Sequence, residues 1–169
     1  MAETKTPPRQ TTAQKTPPKQ TTPTTKKQPQ QQTKVVKRTT PTGKTPNFSW
    51  PLTGSLLAKY GQTGKGRHND GIDISASKGT AVKATASGTI VYAGKELEGF
   101  GKLVLMKHDN GWVSAYAHLD EITAPKDKWL TKGTKIATVG TSGNVPSPRL
   151  HFELRQGTKA VDPLKYLKK

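Results

Sequence analysis

The residues with the types and spacing to do chemistry in this chain are histidines and one aspartate, each inside a short apolar run. Asp73, His118 and His151 lie far apart in the sequence but in similar strand-like surroundings. In a strand, alternation places Arg149 and His151 on the same face. A zinc hydrolase needs three protein ligands and an open position for water, and only Asp73 and His151 qualify as ligands. The sequence therefore indicates a metal-like site that is short of ligands.

Strand-like runs separated by turn residues fill the chain from residue 71 onward. They are rich in Val, Ile and Thr, and the Asp-Asn-Gly sequence at 109–111 is typical of a hairpin turn. This pattern predicts an all-β domain built on a small antiparallel sheet. Residues 54–67, with four glycines, are interpreted as a loop, and any helices are predicted to be short, near 56–60 and 163–167.

The first 46 residues consist almost entirely of Thr, Pro, Gln and Lys. Such a composition buries too little apolar surface to offset the entropy cost of ordering, so residues 1–46 are predicted to be a disordered linker. The first aromatic and apolar cluster begins at Phe48, and residues 47–169 are predicted to form one domain. The chain has no cysteine, which excludes a disulfide framework and a thiolate metal site.

The formal net charge is +17, of which residues 1–45 contribute +9 and the rest +8. This charge indicates either a solvated surface or attraction to an anionic polymer. Zinc-finger, RNP and helix-turn-helix patterns are missing, so nucleic acid is not predicted as a partner.

No apolar run approaches the roughly 20 residues of a membrane span, and the start has no apolar signal segment. Either the sequence is a fragment that begins after its targeting segment, or the protein stays in the cytoplasm, and we favour the fragment.

Five short motifs occur in the order and spacing of a known family. They are GIDI (71–74), VYAG (91–94), YAHL (116–119), VGTSG (139–143) and LHFE (150–153). The set resembles the LytM domain of lysostaphin-like zinc endopeptidases, which cut peptide cross-links in the bacterial cell wall. The resemblance extends from about residue 48 to residue 167, and it implies a small antiparallel β-sheet domain with a central groove.

The first zinc motif of active members, His-x-x-x-Asp, is incomplete here. Asp73 matches its aspartate, but Asn69 stands where the family has a histidine ligand. An amide is a poor zinc ligand beside an imidazole. His68 comes one residue too early, and a shift of one residue along a strand turns the side chain to the opposite face.

The second motif, His-x-His, is also altered. His151 matches its zinc ligand, Arg149 replaces the catalytic histidine, and His118 matches the other catalytic histidine of the family. A permanently charged guanidinium repels a neighbouring dication, so Arg149 is predicted to pair with Asp73 or with a carboxylate of a partner. Zinc is therefore not expected. Catalysis is not expected either. The groove residues Asn69, Asp73, His118, Arg149 and His151 are predicted to bind a partner instead.

This pattern resembles the degenerate LytM domains of the NlpD and EnvC kind, and the NlpD type most closely. Such domains bind and activate N-acetylmuramoyl-L-alanine amidases that split daughter-cell walls at division. The resemblance implies an amidase and peptidoglycan as partners, and a periplasmic location with outer-membrane association in the full-length protein. Two alternatives are a zinc endopeptidase that recruits His68 and a simple peptidoglycan-binding module.

Several further positions carry definite expectations. Trp112 and Phe152 are predicted to pack in the core, and His108 is predicted to lie on the surface beside the hairpin turn. Trp129 and Phe100 are either exposed binding anchors near the groove rim or core residues. The loop at 142–148 is predicted to form a wall of the groove.

Overall fold

The structure, a computed structural model, describes residues 44–63, 66–95, 97–143 and 145–168. The predicted linker lies outside these ranges except for its last residues, and the domain boundary at 46/47 stays a prediction. The strands are β1 (Phe48–Ser49), β2 (Ser55–Ala58), β3 (Gly61–Gln62), β4 (His68–Asn69), β5 (Ile72–Ser75), β6 (Ala81–Lys83), β7 (Gly88–Gly94), β8 (Lys102–Lys107), β9 (Trp112–Ile122), β10 (Trp129–Leu130), β11 (Lys135–Val139), β12 (Arg149–Gln156), β13 (Lys159–Val161) and β14 (Leu167–Lys168). Short 3-10 helices span Asp109–Gly111 and Pro163–Lys165.

Ten of the described strands form one antiparallel sheet around the long strand β9. The main order is β10-β7-β8-β9-β12-β5-β2, while β13 pairs with β12, and β11 joins β9 to β6. Outside this sheet, β3 and β4 form an antiparallel pair, and β1 pairs with β14 in parallel. The prediction of an all-β domain on an antiparallel sheet is confirmed.

Alternation along the central strands separates a core face from a polar face. On β12, Leu150, Phe152 and Leu154 are fully buried, whereas Arg149 and His151 lie on the opposite face. Phe152 is the direct partner of Tyr116 on β9, and their ring centroids are 5.3 Å apart. The predicted core positions of Trp112 and Phe152 are confirmed, since both side chains are almost completely buried.

The predicted hairpin turn joins β8 to β9. Asn110 and Gly111 have φ angles of 57° and 75°, a left-handed conformation that these two residue types adopt readily. The prediction of a surface histidine next to this turn is wrong. His108 is buried, with Nδ1 2.9 Å from the Ser87 carbonyl oxygen and Nε2 2.7 Å from Ser114 Oγ, because the hairpin folds its first residue back against β7.

The region interpreted as a loop, residues 54–67, contains the two strands β2 and β3, and the first predicted helix is wrong. Residues 55–58 form strand β2, because β5 offers them backbone hydrogen-bond partners at the edge of the sheet. Leu56 and Leu57 are both exposed there. The second predicted helix is confirmed as one 3-10 turn, Pro163–Lys165, in which the Asp162 carboxylate accepts a hydrogen bond from the Leu164 amide at 3.0 Å.

Candidate functional site

Strands β5, β12 and β9 bring four of the five predicted groove residues together, namely Asp73, Arg149, His151 and His118. His151 lies directly opposite Asp73 on β5 and opposite Ala117 on β9, which places His118 in the next position. His118 has a φ of 61°, unusual for a residue with a Cβ, and its ring centroid is 6.0 Å from that of His151. Backbone strain of this kind is common where a side chain is held for function.

A chain of alternating charges runs across the polar face of the sheet. Asp73 Oδ2 is 3.7 Å from Arg149 Nη1, and Asp73 Oδ1 accepts a hydrogen bond from His151 Nδ1 at 2.7 Å. His151 Nε2 is 3.1 Å from Glu153 Oε1, and Arg155 Nη1 donates to Glu153 Oε2 at 2.6 Å. The predicted pairing of Arg149 with Asp73 is therefore present. All these side chains except Arg155 are at most 18% exposed.

The two carboxylates keep His151 protonated. Burial alone lowers its pKa, but the hydrogen bonds to Asp73 and Glu153 outweigh that effect and raise the pKa of His151 to about 9. For the carboxyl of Glu153, burial acts in the opposite direction and raises the pKa. Its hydrogen bonds with His151 and Arg155 outweigh this effect and lower the pKa of Glu153 below its usual value. At neutral pH, His151 is consequently an imidazolium whose two N–H groups both point at carboxylates.

His118 differs from His151 in charge. Burial lowers the pKa of His118, and the positive charge on His151 lowers it further, so the ring is neutral at pH 7. Its Nδ1 is 2.9 Å from the carbonyl oxygen of Ser142, which only accepts, and so Nδ1 carries the proton. The other nitrogen, Nε2, is left as a hydrogen-bond acceptor. Ser142 belongs to the loop predicted to form a groove wall, and its contact with His118 holds this ring in place.

The residues present do not fit a zinc ion. His151 has no free lone pair while it is protonated, and Asp73 is engaged by two cationic side chains. The Asn69 side-chain oxygen accepts a hydrogen bond from the Gly71 amide at 3.2 Å. Among the described residues, no group of three or more His, Cys, Asp or Glu side chains is arranged to hold a metal ion. That the protein binds no zinc stays a prediction.

The polar face opens into a groove of about 330 Å³. Its lining consists of His68, Asn69, Asp70, Gly99, Phe100, His118, His151 and Glu153. The predicted site residues Asp73 and Arg149 do not line it but lie behind His151, where they fix its charge and position. The ring centroid of Phe100 is 6.0 Å from that of His151, which places this aromatic residue at the groove.

His68, the alternative ligand, is exposed on β4 at the groove edge. Its Nδ1 is 3.0 Å from Asp70 Oδ1, and its ring packs edge-on against Tyr60. Trp129 is 47% exposed on β10, at the end of the sheet, and it is not among the residues that line the groove.

Sequence reasoning missed Glu153 and Arg155. Their positions two and four residues after His151 on the same strand give the signal that would have found them.

We expect the domain to lose stability as the pH rises from about 6.5 to about 9. The pKa of His151 is raised in the folded state, so its contribution is complete below 6.5 and disappears as the pH passes about 9. The loss is at most about 3 kcal/mol. Urea unfolding at pH 6 and pH 9.5 measures it. His151→Gln is the control and should not lose stability over this range, since the lowered pKa values of His108 and His118 act in the opposite direction. A wild-type protein that loses no stability relative to this control would contradict the assignment of charge.

Residues 67–163 match Peptidase family M23, which is more than half of the chain. The chain belongs to peptidase family M23. The match confirms the resemblance given by the five sequence motifs.

Individual relatives of this M23 domain agree with that classification. The chain is 43% identical over 118 residues to the cell division protein DipM of Caulobacter vibrioides (strain NA1000 / CB15N), covering 70% of this chain and 19% of DipM. It is 45% identical over 120 residues to the murein hydrolase activator NlpD of Escherichia coli (strain K12), covering 71% of this chain and 31% of NlpD. The chain thus spans less than a third of the length of these relatives.

The fold of the M23 domain also matches a solved structure. The catalytic domain of the antimicrobial peptidase lysostaphin from Staphylococcus simulans superimposes with a TM-score of 0.65 and 29% sequence identity, covering 69% of this chain and 93% of that domain. The predicted lysostaphin-like fold is confirmed. Within the described ranges, neither helix has the length and apolar character that crossing a membrane requires.

Proposed function

We propose that this M23 domain is a non-catalytic activator of a peptidoglycan hydrolase, specifically an N-acetylmuramoyl-L-alanine amidase that acts in daughter-cell separation. The observation that carries this proposal is the pairing of His151, whose two ring nitrogens lie 2.7 Å from Asp73 Oδ1 and 3.1 Å from Glu153 Oε1. The position that would bind a metal is instead part of a network of ion pairs. One relative is named a murein hydrolase activator, which favours activation over cleavage, and another is named a cell division protein, which favours a role in division.

The chemistry of the groove supports binding of a protein segment. The neutral His118 ring offers an acceptor nitrogen, and the Phe100 ring offers an apolar surface beside it. A partner segment that brings an N–H or O–H donor and an apolar side chain would satisfy both. If this segment blocks the amidase active site in the resting enzyme, its capture in the groove shifts the amidase towards the open state. Peptidoglycan lies outside the cytoplasmic membrane, so we place this activity in the periplasm, in association with the outer membrane.

The experiment uses the purified protein, dye-labelled peptidoglycan and a purified amidase. After dialysis, we expect less than stoichiometric zinc by elemental analysis, no dye release by the protein alone, and faster release when the amidase is added. Stoichiometric zinc together with dye release by the protein alone would favour a zinc endopeptidase instead. Binding to peptidoglycan without any effect on the amidase would favour a simple binding module.

A further inference from the structure

A second groove, of about 520 Å³, lies beside the β1–β14 pair. It is lined by Ser49, Trp50, Leu52, Thr53, Gly54 and Lys168, and we call it the Trp50 groove. It shares no lining residue with the groove at His118 and His151. The function proposed above makes no use of it.

Three polar groups of the Trp50 groove have no partner in the part of the chain that the structure describes. They are the indole N–H of Trp50, the hydroxyl of Thr53 and the ammonium of Lys168. Among the described residues, every buried side-chain nitrogen and oxygen has a hydrogen-bond partner, so these three groups are open to solvent. The indole is half-buried and packs against the core, which fixes the plane of its ring. The groove therefore combines a rigid aromatic surface with two hydrogen-bonding groups and a cation.

The backbone around this groove is held on several sides. Ser49 pairs with Lys168 across β1 and β14, and its amide donates to the Thr85 carbonyl oxygen at 2.8 Å. The Pro51 carbonyl oxygen accepts a hydrogen bond from the Lys83 amide at 2.8 Å. A groove built in this way is formed before a ligand arrives, which reduces the entropy cost of binding.

We propose that the Trp50 groove binds a glycan strand of peptidoglycan at an amino sugar that carries a free carboxylate. The C–H face of a sugar ring packs on the Trp50 indole, whose N–H, with the Thr53 hydroxyl, hydrogen-bonds to hydroxyl or acetamido groups. Lys168 pairs with the carboxylate. The choice of polymer rests on the proposed function, while the chemistry of the ligand follows from the groove.

The surrounding charge favours an anionic polymer. Lys83 and Lys135 are directly opposite each other on β6 and β11, and both are exposed. In the described part of the chain, neither has a carboxylate within ion-pair distance, and neither does Lys168. Two like charges in directly opposite positions repel each other, and a bound polyanion relieves this repulsion.

The experiment is an NMR titration of the purified chain with two disaccharides. One is N-acetylglucosaminyl-N-acetylmuramic acid, with its free lactyl carboxylate, and the other is the uncharged di-N-acetylglucosamine. We expect saturable shifts around Trp50 and tighter binding of the acidic sugar. Lys168→Glu should weaken the acidic sugar at least about ten-fold and leave the uncharged one unchanged, and Thr53→Ala should weaken both.

Matched controls separate a local contact from a general effect. Lys165→Glu makes the same change in net charge on the nearby 3-10 helix, and Trp129→Ala removes an exposed tryptophan outside the groove. Both should bind as the wild type does. Trp50→Ala should lose both sugars, but because Trp50 also packs against the core, Lys168→Glu and Thr53→Ala decide the result if that variant unfolds.

Three outcomes would overturn this proposal. The first is NMR shifts that do not saturate with either sugar, and the second is that Lys165→Glu weakens binding of the acidic sugar as much as Lys168→Glu does. The third is a dimer in sedimentation velocity that Lys168→Glu dissociates, which would mean that a second copy of the chain fills the groove. Amidase activation is measured on the same variants. If the Lys168→Glu variant no longer binds the acidic sugar but still activates the amidase in solution, both proposals are supported. If the wild-type chain binds the sugar but does not activate the amidase, only the proposed function is contradicted.

Discussion

Replacing Arg149 with glutamate is expected to reduce activation of the amidase to background while the domain stays folded. Arg149 lies behind the groove floor, where its guanidinium is 3.7 Å from Asp73 and also donates to Ser147 Oγ at 2.8 Å. A glutamate there places a second carboxylate against Asp73 and loses the contact with Ser147. His151 then turns or shifts towards the new charge, which alters the groove floor that we propose the partner segment contacts.

The size of the effect follows from where each charge lies. Arg149 is only 17% exposed, so the repulsion between two carboxylates is weakly screened by solvent. We expect a loss of stability of about 3 kcal/mol, which is less than the stability of a typical domain and leaves this one folded at 25 °C. Arg149→Met, which removes the charge without adding repulsion, should give an intermediate loss of activation.

The assay follows dye release from labelled peptidoglycan at a fixed amidase concentration while the activator is titrated. Lys107→Glu reverses an exposed charge on β8 outside the groove, and this control should activate like the wild type. Circular dichroism and urea unfolding show whether each variant is folded. If folded Arg149→Glu still activates fully, the groove at His118 and His151 does not contact the amidase.

Sequence reasoning succeeded where a local pattern determines structure. Alternation along β12 correctly separates the buried Leu150 from Arg149 and His151, since side chains on a strand point to opposite faces. The Asp-Asn-Gly turn at 109–111 is also local, because Asn110 and Gly111 tolerate the positive φ angles it requires.

The features that were missed depend on contacts distant in sequence. Strand β2 has the composition of a helix or a loop, and it forms only because β5 presents a free edge. His108 looks like a polar residue beside a turn, but Ser87 and Ser114 satisfy both of its ring nitrogens inside the protein. The protonation of His151 likewise requires two carboxylates at once, and one of them, Glu153, was not among the predicted site residues.

Restoring the two altered motif positions is expected to create a zinc site. In the double variant Asn69→His plus Arg149→His, an imidazole at position 69 becomes the third ligand beside Asp73 and His151, and the cation beside Asp73 is removed. Three protein ligands are the usual number for a site with an open position. We expect zinc affinity at least about 100-fold above that of the wild type, and the affinity should rise with pH because His151 has to release its proton before it binds.

The single variants show which change matters. Asn69→His adds a ligand but retains the opposing guanidinium, so its zinc affinity should lie between those of the wild type and the double variant. Arg149→His removes the repulsion without supplying the ligand at position 69. Elemental analysis after dialysis gives the zinc content of all four proteins, and titration with a competing chelator gives their zinc affinity.

A wild-type chain that already holds one equivalent of zinc would mean that the network around His151 opens to admit the metal. A double variant that binds no better than the wild type would mean that Asn69, held by its bond to the Gly71 amide, lies too far from Asp73 for a histidine there to reach the metal.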